Sequence, residues 1–256
     1  MMTQHISVEY GGAVCTITFN RDAKRNAFCD AMSSEVIAAI DTALEQGSQA
    51  IVLTANPGTA IWSSGHDLTE IREPKDLIQD TMFALLQQIA ACPIPVICAV
   101  DGDVYAGGFL ITVLADIVLV TERSRFCMPI NKMGIPLPRY CYQFAMQALG
   151  VHKAKEMFLC ANLMTAADVY AHGLVNHVVP DSAQLQVQLD RVLCGIAACL
   201  PEGLAYTKAV FNSLTQDVSF DASAAQALAL HFERLAESPE VAQRIEALVR
   251  KIGRQS

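Results

Sequence analysis

Two apolar runs, at 95–100 and 109–120, meet at a glycine pair inside the stretch Asp101-Gly-Asp-Val-Tyr-Ala-Gly-Gly-Phe-Leu-Ile-Thr-Val-Leu-Ala-Asp116. The first run, Pro95-Val-Ile-Cys-Ala-Val100, is short and β-branched and reads as a buried strand; the second, from Phe109 to Val120, fits helix or strand. Glycines at 107 and 108 let a ligand approach the backbone closely. If they open a helix, they also leave N–H groups with no intrahelical acceptor. Such a turn suits an oxygen that gains negative charge. As plain structure it is a tight strand-to-helix corner, because short glycine motifs also occur by chance.

A second corner repeats the pattern. The run Ala50-Ile-Val-Leu-Thr54 leads to Ile61-Trp-Ser-Ser-Gly-His-Asp-Leu-Thr-Glu70, which places Gly65 and His66 in a small-residue turn just beyond another strand. Two such turns can each lend one N–H to a single oxyanion. Strand–helix alternation through both corners predicts βαβ units and largely parallel sheets. Upstream, Ile6–Tyr10, Gly11-Gly12 and 13–19 read as a hairpin, followed by a polar loop over 21–26. A helix then carries Met32, Val36, Ala39, Ile40 and Leu44 on its apolar side. Helices are expected over 75–91, 153–159, 166–172, 184–199, 204–214, 222–237 and 241–251.

Composition sets limits. A chain of 256 residues with 52% hydrophobic residues can bury a large core. A net charge of −8 argues against a nucleic-acid partner. The nine cysteines, among them Cys15, Cys92, Cys98, Cys141, Cys160, Cys194 and Cys199, lie in apolar contexts with no CxxC pair. They read as reduced thiols in a cytoplasmic protein, and no Cys/His spacing suggests a metal site. The first residues lack the marks of a signal peptide, and no apolar run reaches the roughly 18 residues that span a bilayer, so no membrane partner is expected.

The residues that carry chemistry resemble the crotonase superfamily, the enoyl-CoA hydratase/isomerase fold. The matching pieces are Asn20-Arg-Asp-Ala-Lys-Arg-Asn-Ala27, Ser63-Ser-Gly-His-Asp-Leu68, Ala106-Gly-Gly108 with Asp116, Phe126 and Met133-Gly134, and the segment from Thr165-Ala to Gly173-Leu-Val-Asn-His-Val-Val179. They run in family order over nearly the whole chain. The resemblance implies an α/β fold, a crotonase-like spiral of ββα units over 1–195, with a helical C-terminal trimerisation region over 196–256. It implies an acyl-CoA thioester as ligand, coenzyme A being part of the substrate and no separate cofactor being needed. Homotrimers, or hexamers as dimers of trimers, follow by the same analogy. The backbone amides of His66 and Gly107 would form the oxyanion hole. Lys24, Arg25, Ser64, Asp67 and Leu68 would lie along coenzyme A, Lys251 in the last helix would reach the coenzyme A of a neighbouring subunit, and Trp62, Tyr105, Phe109, Leu110, Ile130 and Leu137 would shape the acyl pocket.

The chain departs from its relatives at two positions. Hydratases of the family carry one glutamate two residues after the glycine run and another near Met128-Pro-Ile-Asn131, and here those positions are Leu110 and Ile130. Ordinary hydration needs both carboxylates to activate water, and the isomerases that use the later one lose their base. Other acids near the motifs have structural readings: Asp67 as a helix N-cap, Asp101 and Asp103 as turn residues, Asp116 at a helix end. The turn Ser-Gly-His-Asp, Asn176-His-Val-Val179 and Met133-Gly-Ile-Pro136 resemble the methylmalonyl-CoA decarboxylase branch. That branch keeps a glutamate where Leu110 stands and a tyrosine near Leu137. Three functions stay open at this point: an enolate-forming decarboxylase or double-bond isomerase, a hydratase with relocated acid–base groups, and a catalytically silent acyl-CoA-binding protein.

Overall fold

The computed structural model describes residues 5–70, 81–216 and 238–253. It opens with β1 (Ile6–Gly11) and β2 (Val14–Phe19), paired antiparallel across the expected hairpin, then runs through a 3-10 turn at Asp22–Lys24 into α1 (Asp30–Glu45). From there β3 (Ala50–Ala55), β5 (Val96–Val100), β7 (Ile117–Thr121) and β10 (His177–Val179) extend the hairpin in parallel, giving a six-stranded sheet in the order β1-β2-β3-β5-β7-β10.

This sheet is covered on both faces, and strand alternation shows how. Ile51 and Leu53, with Val96, Cys98 and Val100, point into the main core beneath α1 and α2 (Thr81–Ala91). Their neighbours Val52, Ile97, Ala99 and Leu119 point the other way, onto Leu185, Leu189 and Ile196 of α8 (Ser182–Ala197). A parallel sheet buried on both sides requires the near-continuous apolar strands seen at β3 and β5. The boundary expected at 195/196 falls in the last turn of α8.

A second sheet is small and was not foreseen. Strands β4 (Ile61–Ser63), β6 (Asp103–Tyr105) and β8 (Arg125–Cys127) run parallel, with β9 (Met164–Thr165) antiparallel at the edge. Each parallel strand ends in a turn and three of those turns face one another. After β4 comes the Gly65–His66 corner; after β6 comes α3 (Gly107–Leu114); after β8 comes α4 (Ile130–Met133). The ambiguous run 109–120 is therefore helix and then strand. Asp116 sits at the break, accepting from the Val96 N–H at 2.7 Å and from Lys208 Nζ at 2.6 Å. Asp103 lies in β6 rather than in a turn, paired with Arg125 at 2.6 Å. Asp67 caps no described helix; its carboxylate accepts from the Thr69 N–H and hydroxyl at 3.1 and 2.6 Å, which closes an Asx turn.

Downstream lie α5 (Arg139–Leu149), which the sequence reading omitted, α6 (Val151–Cys160), α7 (Ala166–Ala171), α9 (Pro201–Gln216) and α10 (Pro239–Gly253). The helix expected over 222–237 and the first turns of the one expected over 75–91 lie outside the described residues. Among the described residues no helix is long and apolar enough to cross a membrane.

Candidate active site

The two glycine corners are in direct contact. Phe28 bridges the first: its N–H donates to Gly65 O at 2.7 Å and its carbonyl accepts from the Asp67 N–H at 2.8 Å. A parallel bridge of this kind turns the N–H of the intervening residue, His66, to the opposite side. Gly65 holds φ +87°, and a Cβ built there would come within 2.6 Å of Gly107 N and 3.0 Å of Tyr105 O. The second corner therefore packs on the first, main chain against main chain, and only glycine fits.

Gly107 is the first residue of α3, where an N–H has no intrahelical acceptor and the helix dipole is positive. The turn before it is strained: Ala106 adopts φ 48° and ψ −115°, a region that favours glycine. Its N–H donates to Cys127 O at 3.0 Å, which ties the corner to β8. A Cβ at Gly108 would strike Ser63 at 2.7 Å, so α3 lies flat on β4.

Ser63 links both corners to the entry loop. Its hydroxyl donates to Asn26 O at 3.1 Å and accepts from the Gly65 N–H at 3.1 Å. Asn26 is buried, with φ 49°, and its side-chain oxygen accepts from the Arg21 N–H at 2.9 Å. Arg21 also holds Asp67, with Nη1 to Oδ2 at 2.7 Å. Burial alone would raise the Asp67 carboxyl, but the hydrogen bonds from Thr69 and Arg21 outweigh it and hold the group below the ordinary carboxylate range.

These elements enclose a cavity of about 570 Å³. Exposed residues of the entry loop, Lys24 and Arg25 among them, form one end together with Ser64, Asp67 and Leu68. The other end is apolar: Met82 and Leu86 from α2, Leu110 from α3, then Met128, Ile130, Met133 and Ile135. His66, Tyr105, Gly107 and Leu137 complete the wall from the predicted set. Tyr105 donates its hydroxyl to Asp103 at 3.2 Å, and burial together with that carboxylate raises its pKa.

Two predicted pocket residues point elsewhere. Trp62 is fully buried on the far side of β4, donating to Ala99 O at 3.0 Å and tilted against Phe19, because Ile61 and not its neighbour faces the cavity. Phe109 is one helical step from the wall position Leu110 and instead meets Phe158 edge to face. Lys251 lies exposed in the last turn of α10. Sequence reasoning missed Asn26, Ser63 and the wall methionines. Asn26, Ser63, Met128 and Met133 had a signal, lying inside the quoted motifs; Met82 had none.

Comparison with known proteins agrees with the geometry. The model of a family described as enoyl-CoA hydratase/isomerase matches residues 9–247. Methylmalonyl-CoA decarboxylase of Escherichia coli is 28% identical over 183 residues, covering 70% of each chain. The 2,3-dehydroadipyl-CoA hydratase of the same organism is 29% identical over 242 residues, covering 93% of this chain and 92% of its own. A crystal structure of methylmalonyl-CoA decarboxylase superposes with a TM-score of 0.91 over 98% of this chain and 97% of the other. At 23% identity that likeness shows the fold alone.

Proposed function

The chain belongs to the enoyl-CoA hydratase/isomerase family, and from that premise we propose that it binds a coenzyme A thioester in this cavity and removes CO2 from a malonyl-type acyl group. Lys24 and Arg25 at the exposed end suit the phosphates of coenzyme A, and the apolar end takes the acyl group. The amides of His66 and Gly107 hold the thioester oxygen.

One observation carries the choice of reaction. The positions that would bring acid–base carboxylates into the site are Leu110 and Ile130, both buried in the apolar wall. Among the described residues the wall brings two carboxylates, Asp22 and Asp67, both in the polar half, with Asp67 engaged by Arg21. Hydration and double-bond migration both require a base close to carbon. Decarboxylation does not. The electrons of the breaking C–C bond pass into the thioester, CO2 leaves, and the negative charge settles on the oxygen facing the two amides. Each such donor is worth a few kcal/mol to the transition state. The enolate carbon then needs one proton, and we assign its delivery to His66, which lines the cavity wall.

The test is parallel incubation with methylmalonyl-CoA, malonyl-CoA, crotonyl-CoA and a 3-enoyl-CoA, with products followed by mass spectrometry. Loss of CO2 from a malonyl thioester, with crotonyl-CoA untouched, is the expected result. Hydration of crotonyl-CoA at an ordinary rate would overturn the reading. Binding of all four without turnover would reduce the proposal to a silent acyl-CoA-binding protein.

A further inference from the structure

The glycines of the two corners are small for different reasons. At Gly65 and Gly108 a Cβ would strike backbone or the short Ser63 side chain, neither of which can move aside. At Gly107 the only close neighbour among the described residues is the tip of one flexible side chain: the built Cβ falls 2.1 Å from Met82 Cε and 2.6 Å from its sulfur, with Gly65 Cα next at 3.5 Å. Gly107 has no positive φ, so its backbone accepts any residue. The thioether of Met82 thus lies in the notch that a side chain at 107 would occupy.

The backbone behind that thioether is fixed. Thr81 donates to Asp30 Oδ1 at 2.7 Å, and Leu85 and Leu86 are buried, which anchors α2 against α1 and the core. Met82 itself is 3% exposed and lines the cavity. An unbranched thioether adapts its shape more readily than Leu or Ile, which makes this the adjustable part of an otherwise rigid corner.

We infer that Met82 and Gly107 together determine which acyl groups fit beside the reacting carbon. This rests on the acyl-CoA reading above. An oxygen held at about 2.9 Å from the Gly107 N–H places the acyl carbons next to the atom on which Met82 packs. The terminal methyl of Met82 then packs against any branch on the acyl α-carbon and limits how readily a branched acyl group fits. One methylene more or less in such a pocket changes recognition by about tenfold or more.

The experiment measures dissociation constants of acetyl-CoA and isobutyryl-CoA by calorimetry for the wild-type chain, Met82→Ala, Met82→Leu, Gly107→Ala and the double variant Met82→Ala/Gly107→Ala, each checked for cooperative thermal unfolding. The readout is the ratio of the isobutyryl to the acetyl constant. Gly107→Ala drives the thioether into the acyl space and raises the ratio about tenfold; Met82→Ala lowers it about tenfold; the double variant returns to within about threefold of wild type. If Met82→Ala does not unfold cooperatively, Met82→Leu, which keeps the volume and loses the reach, must still lower the ratio. An unchanged ratio in a folded Met82 variant, or a double variant as impaired as Gly107→Ala, overturns the inference while leaving acyl-CoA binding intact. Failure of the wild-type chain to bind either thioester overturns the acyl-CoA reading and this inference with it.

Discussion

Contact between the two glycine corners can be tested with an internal control. Gly58 and Gly65 have nearly the same φ, +81° and +87°, but among the described residues a Cβ at Gly58 would meet nothing within 4 Å. Gly58→Ala therefore reports the cost of a positive φ alone, on the order of 1 kcal/mol. Gly65→Ala incurs the same backbone term and adds contacts at 2.6 Å to Gly107 N, 2.8 Å to Ala106 Cβ and 3.0 Å to Tyr105 O. Two of these neighbours are main chain held by β6 and α3, so overpacking adds about 2 kcal/mol more. Urea unfolding at pH 7 and equal protein concentration should place Gly65→Ala about 3 kcal/mol and Gly58→Ala about 1 kcal/mol below wild type. The difference corresponds to roughly a thirtyfold change in the folding equilibrium. Equal losses for the two variants would refute the close approach, and with it the placement of the Gly107 amide beside the His66 turn.

Three further outcomes follow from the same structure. Asp67→Asn, which breaks the 2.7 Å pair with Arg21, should cost about 2 kcal/mol at pH 7. Because the folded pKa of Asp67 is lowered, its contribution is complete above the unfolded value of about 4 and is lost as pH falls through the folded one, so the gap between the urea curves of wild type and variant should narrow progressively as pH falls below about 4. Ala106→Gly relieves φ 48° and should raise stability by about 1 kcal/mol, read as a higher melting temperature. Lys208→Met leaves Asp116 with the Val96 N–H alone and strands Ile94 O; with Asp116 partly exposed, the loss should be about 2 kcal/mol in urea.

The larger sheet was legible because its strands are long and apolar: the runs at 50–54 and 95–100 fall on β3 and β5. The smaller sheet was not, since β4, β6 and β8 have three residues each and so show no periodicity. That same shortness misled the assignment of side chains to the cavity. Nearness to a glycine turn does not reveal which face a residue takes, and Trp62 and Phe109 each sit one residue from a wall position on the wrong face. The split of the run at 109–120 did have a marker, Asp116, whose carboxylate satisfies Val96 and Lys208 at the break. Met82 had none: it lies 25 positions before Gly107, and only the tertiary fold makes them neighbours.

The apolar wall and the amide pair favour the same chemistry for one physical reason. A glutamate at Leu110, a site 3% exposed, would be pushed toward its neutral form by burial. Leu110 and Ile130 share the cavity wall with Met128, Met133 and Ile135, side chains that offer no strong hydrogen bond to a water, whereas ordered water needs two to four polar partners. On the proposed reading, hydration lacks both a base and a seat for its nucleophile. On the same reading, the poor polarity that withholds them would also weaken competition for the oxyanion, so that the dipoles of the two amides would act on the developing charge with little screening. A substrate carboxylate in the same surroundings is poorly solvated and sheds that charge on becoming CO2. On the proposed reading, losing the carboxylates and gaining an apolar wall are therefore one change: the site gives up moving protons off carbon and keeps the step that needs only a place for negative charge to go.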